Sequence, residues 1–300
     1  MTWIILVFAG VILYVFVPAR LMVLHPFSFL WNIIRDLLSY IIHMEWRLCK
    51  RADLYCYTGL FGKGKTLSAV HDILLMYKKY NNKKVYDFSR KKWVMQKVRI
   101  LSNVRLKTVP FEYMRSLSQI VRFAETQNKL DEESGELTLL FILIDEASVQ
   151  LNCRSYKDNI NPEFLNTLLT CRHYHICGIY CTSQRFHLED KLLRDVTQKV
   201  IDCRKTWRFQ VNYYYDAWEM ENAMNPLLLK PTRRTGFFVR NQDYSAYDTL
   251  ACVEELSKSC KAADMLSDQE ILALRGNDVS DMDQVSRPSR KFIRLQKKRR

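Results

Sequence analysis

The chain has 300 residues, 48% hydrophobic and 26% charged, enough to bury a sizeable core in one large domain with appendages. That size excludes a miniature fold dependent on disulfides, in spite of nine cysteines. A formal net charge of +14 excludes an acidic surface overall and suits polyanionic partners, either nucleic-acid phosphates or anionic lipid head groups.

Residues 1–19 carry no charged side chain, and the apolar stretch continues past Arg20 to Leu24. As one helix, residues 2–24 would extend ~34 Å, enough to cross a bilayer. No basic residue precedes the run and no small-residue cleavage site follows it, which disfavours a cleaved signal peptide. A second apolar stretch, Phe27 to Trp46, is interrupted by Arg35 and Asp36. It suits either an amphipathic helix in the membrane interface, with Trp31 and Trp46 at head-group depth, or the second limb of a hairpin through the membrane. Arg47, Lys50 and Arg51 follow, which puts the remainder on the cytoplasmic side. Residues 1–48 are thus expected to be a transmembrane or interfacial anchor.

Leu54 to Thr58 reads as a short strand, and Leu67 to Met76 as a helix with apolar residues at helical spacing. Between them, Gly59-Leu60-Phe61-Gly62-Lys63-Gly64-Lys65-Thr66 fits G-x-x-x-x-G-K-[ST], the loop that cradles phosphates. Its glycines let the backbone turn tightly, so that amide N–H groups and the positive end of the next helix face the phosphates. The expected nucleotide-binding set is Gly59, Gly62, Lys63, Gly64, Lys65, Thr66 and Leu67. Lys65 would reach the β and γ phosphates of ATP, and Thr66 would ligate Mg²⁺.

Lys78-Lys79, Lys83-Lys84 and Arg90-Lys91-Lys92 form a basic stretch, and Val98 to Val104 reads as the next strand. Gln127 to Glu136 is acidic and polar and reads as an exposed loop. Leu139 to Ile144 is an unbroken apolar run, suited to a central parallel strand buried on both faces. It ends in Asp145 and Glu146. Asp145 would hold Mg²⁺, and Glu146 would orient or polarise the attacking water. A helix is expected from Asn161-Pro162-Glu163 to about Arg172, proline being tolerated in a first turn. Cys171, His173, His175, Cys177 and Cys181 invite a zinc reading, but their spacing matches no common zinc pattern. Alternation through Cys177, Ile179 and Cys181 suits a core strand better. That strand ends in Thr182, Ser183 and Gln184. Ligands in open α/β sheets bind at the carboxyl ends of strands, so Gln184 is expected to sense the γ-phosphate. Leu188 to Arg194 reads as a helix, and Val200–Cys203 and Trp207–Val211 as late strands. Strands alternating with helices imply a mostly parallel sheet covered on both sides, an α/β P-loop NTPase over about residues 49–255. From residue 256 the chain turns polar and then basic, with a tail from Arg287 to Arg300.

The phosphate loop, Ile144-Asp145-Glu146, the Arg172 helix, the Thr182-Ser183-Gln184 strand end and Tyr244-Ser245-Ala246-Tyr247-Asp248-Thr249 together resemble the zonula occludens toxin (Zot) family, over roughly residues 52–250. That family includes the assembly ATPases of filamentous bacteriophages and lies in the FtsK–HerA class of ring-forming DNA motors. The resemblance implies an ATP hydrolase in which Lys65, Thr66, Asp145 and Glu146 serve the nucleotide and Gln184 is the sensor. It also implies that Arg172 or Arg194 reaches a neighbouring subunit's site as an arginine finger, offsetting charge on the γ-phosphate. The implied setting is a homo-oligomeric ring at the host inner membrane, its ATPase domain cytoplasmic. There it would act on single-stranded DNA or nucleoprotein, together with phage coat or other assembly proteins. In the best-known phage members the membrane span follows the ATPase domain. Here the apolar segment comes first, as in conjugative coupling proteins and FtsK-type translocases, so a conjugation or packaging translocase stays open. A membrane scaffold or toxin-like protein with a vestigial nucleotide site is the alternative of another class, and the presence of both Lys65 and Glu146 argues against it.

Overall fold

Apolar runs build the core from the middle outward, as a nine-stranded sheet with helices on both faces. The computed structural model describes residues 3, 16–114, 117–147, 162–225 and 228–248. The chain divides into two units, Met1–Tyr247 and Asp248–Arg300. Residues 1, 2 and 4–15 of the expected anchor, Asn161 at the start of an expected helix, Thr249 and the basic tail lie outside the described residues.

Two strands anchor the middle. β6 (Glu136–Ile144) is buried at every position after the first, and β7 (Ile176–Ser183) at all eight. Strands covered on both faces pair in parallel here, as continuous apolar runs do. β1 (Asp53–Thr58), β3 (Lys92–Ser102) and β8 (Lys199–Thr206) complete a parallel set in the order β8-β1-β7-β6-β3. Antiparallel strands extend it at both edges: β2 (Lys83–Asp87) beside β3, and β9 (Phe209–Asp216) then β10 (Arg233–Phe238) beside β8. The ninth strand, β5 (Glu112–Tyr113), pairs with the end of β3, and the short β4 (Arg105–Leu106) lies outside this sheet. One face is covered by α3 (Lys65–Tyr80) through Ala69, Val70 and Ile73. The other is covered by α4 (Ser118–Ser134), α5 (Pro162–Leu169) and α6 (Lys191–Val196), through Ile120, Ala124, Leu168 and Leu193.

Three local expectations are corrected. Most of the acidic stretch Gln127 to Glu136 is the second half of α4, not a loop, and the helix stops at Gly135 with φ 67°. Two of its polar residues turn inward: Asp131, 1% exposed, accepts the Thr138 N–H (2.7 Å) and hydroxyl (2.8 Å) and a bond from Gln127 Nε2 (2.7 Å). A hydrophilic stretch thereby becomes a buried polar clamp on β6. The basic stretch from Lys83 is a hairpin of β2 and β3, with Val85 and Val94 inward and its lysines mostly outward. Trp207 sits in the turn between β8 and β9 rather than in a strand. In β7 the pairing with β6 slips by one residue at Cys177. This bulge puts Cys177 in the α3-side core with Tyr180, while Ile179 and Cys181 face the other side.

At the amino end, α1 (Val17–Leu24) and α2 (Pro26–Ile42) meet at a 100° bend at His25. Pro26 has no N–H to continue the first helix's bonding. No single described helix is long and apolar enough to cross a membrane. At 1.5 Å per residue α2 is ~26 Å long, short of the ~30 Å hydrocarbon core. The foot of α2 rests on the β2–β3 edge, where the His43 and Tyr86 rings lie 4.2 Å apart.

Candidate active site

β1 ends at Thr58, and the chain turns through residues 59–64 directly into α3. The first bond of that helix runs from the Ser68 N–H to the Gly64 carbonyl (2.9 Å). The N–H groups of Lys65, Thr66 and Leu67 therefore have no helical acceptor and form the positive end of α3. Gly64 has φ +80°, and a Cβ there would lie 2.2 Å from Gln210 Oε1. The left-handed backbone requires glycine at this point, and any Cβ would also push the Gln210 amide aside. Gln210 also donates to the Lys63 carbonyl (3.3 Å) and to Asn212 Oδ1 (3.0 Å), which accepts from the Ser68 hydroxyl as well (3.0 Å). β9 thus props the loop from behind. Sequence reading missed Gln210 and Asn212. Their signal is two amides at alternate positions of an aromatic-rich strand, both buried.

Asp145 and Glu146 follow the last residue of β6. β6 is not next to β1, because β7 runs between them. Two strand spacings, ~10 Å, separate the loop strand from the acid strand, and side chains bridge that gap. Thr66 Oγ1 donates to Asp145 Oδ1 (2.7 Å), and Thr182 Oγ1, from the end of β7, donates to the same oxygen (2.6 Å). The Thr182 hydroxyl also accepts the Glu146 N–H (3.0 Å). Asn103 clamps the Asp145 backbone from the other side, accepting its N–H (2.8 Å) and donating to its carbonyl (2.9 Å). Held so, Glu146 adopts left-handed backbone at φ 49°, a costly conformation for a residue with a Cβ. Its Oε1 lies 3.9 Å from Lys65 Nζ. Partial burial raises the Glu146 pKa from its ordinary value, with Lys65 drawing it back and Asp145 pushing it further up. A carboxylate of raised basicity is better matched to accepting a proton or hydrogen bond from water near neutral pH.

The oxygens of Thr66 and Asp145 are hard donors of the kind Mg²⁺ prefers. Among the described residues no group of three or more His, Cys, Asp or Glu could hold a metal. A cation at Thr66 and Asp145 therefore needs other oxygens, as phosphates provide, to complete its shell. The exposed loop, the unpaired helical N–H groups and Lys65 suit a polyphosphate at the same point.

The loop residues Gly59 to Leu67, with Asp145 and Glu146, lie together at the carboxyl edge of the parallel sheet, and half-buried Gln184 directly follows β7 there. The two arginines lie elsewhere. Arg172 is exposed on a 3₁₀ turn before β7, so a strand of ~26 Å separates it from its own loop. Arg194, on α6, pairs with Glu221 at 2.9 Å, and its side chain is only 15% exposed.

No protein-family model and no curated protein sequence matches the chain. Similar solved structures include the N-terminal domain of zonular occludens toxin from Neisseria meningitidis, 19% identical at TM-score 0.42, covering 66% of this chain and all of that one (100%). Another is B204, the DNA-packaging ATPase from Sulfolobus Turreted Icosahedral Virus, 13% identical at TM-score 0.37, with coverages of 64% and 100%. ATPases 2 and 3 of EccC from Thermomonospora curvata are 11% identical at TM-score 0.40, with coverages of 64% and 38%. The family that the motifs resemble stands among these neighbours. At such scores the likeness bears no functional weight, and function rests on the site.

Proposed function

We propose that this chain is a P-loop motor ATPase, seated on the host inner membrane and working as a ring, that drives filamentous phage assembly and export of single-stranded DNA. The observation that carries the reading is the 2.7 Å contact between Thr66 Oγ1 and Asp145 Oδ1, with Lys65 and Glu146 beside it. Bound Mg²⁺ would neutralise charge on the phosphates. The chain's own groups do the rest. The amides of residues 65–67 and Lys65 take the triphosphate. As Lys65 turns to the phosphates it leaves Glu146, whose carboxylate then orients the attacking water. Thr182 and Asn103 keep Asp145 and Glu146 in place during that exchange.

Two features support the setting. Phe27 and Trp31 of α2 are 87% and 68% exposed, and the Arg35–Asp36 ion pair sits between apolar neighbours. An interfacial seat for α2 suits this pattern. Arg172 is the exposed arginine of the two and is the better candidate for a finger toward a neighbouring subunit, Arg194 being held by Glu221 within its own. The order of apolar segment and then motor favours a second reading, a translocase of double-stranded DNA.

The test is ATP hydrolysis by the detergent-purified full chain, with and without single- and double-stranded DNA. Lys65→Ala should lower kcat/KM by about 10³-fold or more, the range for losing a charged group that meets the transition state. Unchanged turnover in that variant rejects the site. Stimulation by duplex alone selects the second reading.

A further inference from the structure

The antiparallel extension β8-β9-β10 has one covered face, and an opposite face that is open beyond Val200, which is buried there with Phe186 and Ala217. On the covered side, Asn212 bonds Ser68 of α3 and the Phe237 ring stacks on His71 at 3.8 Å. The pairing register puts Thr206, Phe209 and Phe238 in one cross-strand row of the opposite face, and Asp202, Tyr213 and Arg234 in another, with Arg204 between them. None of these residues is buried.

Aromatic rings cluster at the open tip. Trp207, Phe209 and Phe238 are 71%, 55% and 49% exposed, and their centroids lie 5.6–6.1 Å apart. Behind them the guanidinium groups of Arg204 and Arg234 lie 4.8 and 5.6 Å from the Tyr213 ring. Asp202 pairs with Arg204 at 2.9 Å. Segments 204–210 and 233–240 together hold six arginines and lysines and no acid.

The turn is a second, independent observation. Thr206 pairs with Phe209, so Trp207 and Arg208 are a two-residue hairpin loop. Trp207 holds φ 54° at the first position, where glycine is the usual occupant. Left-handed backbone in a bulky residue is strained. The indole meets Phe209 and Phe238 but stays 71% exposed, so burial among the described residues does not offset the strain.

We infer that this face binds single-stranded nucleic acid, its unpaired bases stacking on Trp207, Phe209 and Phe238 while Arg204 and Arg234 meet the phosphates. The site deepens the proposed function, and rests on that reading only for the strand's role as cargo. An open sheet face with aromatics and flanking cations is a stacking platform for bases. The rows span ~10 Å by ~13 Å, room for two or three nucleotides on the scale of other sheet platforms. A duplex hides its base faces and would not use the rings. A second copy of this face would meet it with like charge.

The experiment is fluorescence anisotropy of a labelled oligodeoxythymidylate with the full-length chain, without ATP. Trp207→Gly removes the ring and relieves the backbone, so folding is preserved. It and Phe238→Thr should each weaken binding about tenfold, the scale of one lost base–aromatic stack. Arg234→Gln should flatten the salt dependence. Wild-type affinity in both ring variants overturns the proposal. So does an unchanged affinity accompanied by loss of oligomers in Trp207→Gly, which would make the face a subunit contact. Failure of the wild type to hydrolyse ATP would reject the proposed function, while the anisotropy series still decides this face.

Discussion

Gly64 and Trp207 lie at the two ends of one arrangement, the phosphate loop and the β8-β9 turn, with Gln210 of β9 packed against the first and two residues beyond the second's loop. Both hold left-handed backbone, at φ +80° and 54°. In the loop there is no side chain, and the Gln210 amide fills the space a Cβ would take. In the turn the largest side chain is kept in spite of strain and left in solvent. Strain without burial points to a surface that meets something, whereas strain relieved by glycine points to a backbone that does.

Four measurements break or sharpen that comparison. The largest effect is expected at Glu146. Glu146→Gln should keep ATP affinity near wild type and lower kcat about 10²- to 10³-fold, whereas a loss of affinity would make Glu146 a binding group. Gly64→Ala should cost ~3 kcal/mol in urea unfolding, from φ strain plus the displaced Gln210. A neutral result would mean the loop can shift away from β9.

A carboxyl group outside the loop, held against Cys56 of β1, provides a control for Glu146. Glu189 is fully buried, with Cys56 Sγ donating to Oε1 (3.3 Å) and no partner on Oε2 among the described residues. Burial raises its pKa from 4.5 to about 7, against the pull of Cys56 and Arg194. The folded state thus favours the neutral acid. Its contribution is fully present below the unfolded value near 4.5 and is lost as pH rises to about 7, some ~3 kcal/mol in all. Urea midpoints should fall between about pH 5 and about pH 8, and Glu189→Gln should remove most of that slope. An identical slope in the variant would assign the effect elsewhere. The smallest effect is at residue 207, where glycine should be more stable than alanine by ~1 kcal/mol. Equal stabilities would show that the turn carries no strain.

Much of the site was legible because its elements are local. The loop needs glycines, a lysine and a threonine at fixed offsets, and β6 needs an unbroken apolar run ending in acids, all written within short stretches. Gln127 and Asp131 misled for a related reason. A polar stretch reads as solvated unless its partners are known, and Thr138 becomes a partner only when α4 lies against β6.

What the amino-acid order determined by itself was the phosphate loop, its helix and the buried acid strand, since backbone conformation and burial follow from residues adjacent in the chain. Tertiary structure decided that β7 runs between β1 and β6, which makes Thr182 the hinge between Thr66, Asp145 and Glu146, and that Asn103 and Gln210 hold the acids and the loop. It also brought Trp207, Phe209 and Phe238 to one open face. These contacts join residues tens of positions apart, and strand order, a property of the whole packed sheet, sets which of them meet.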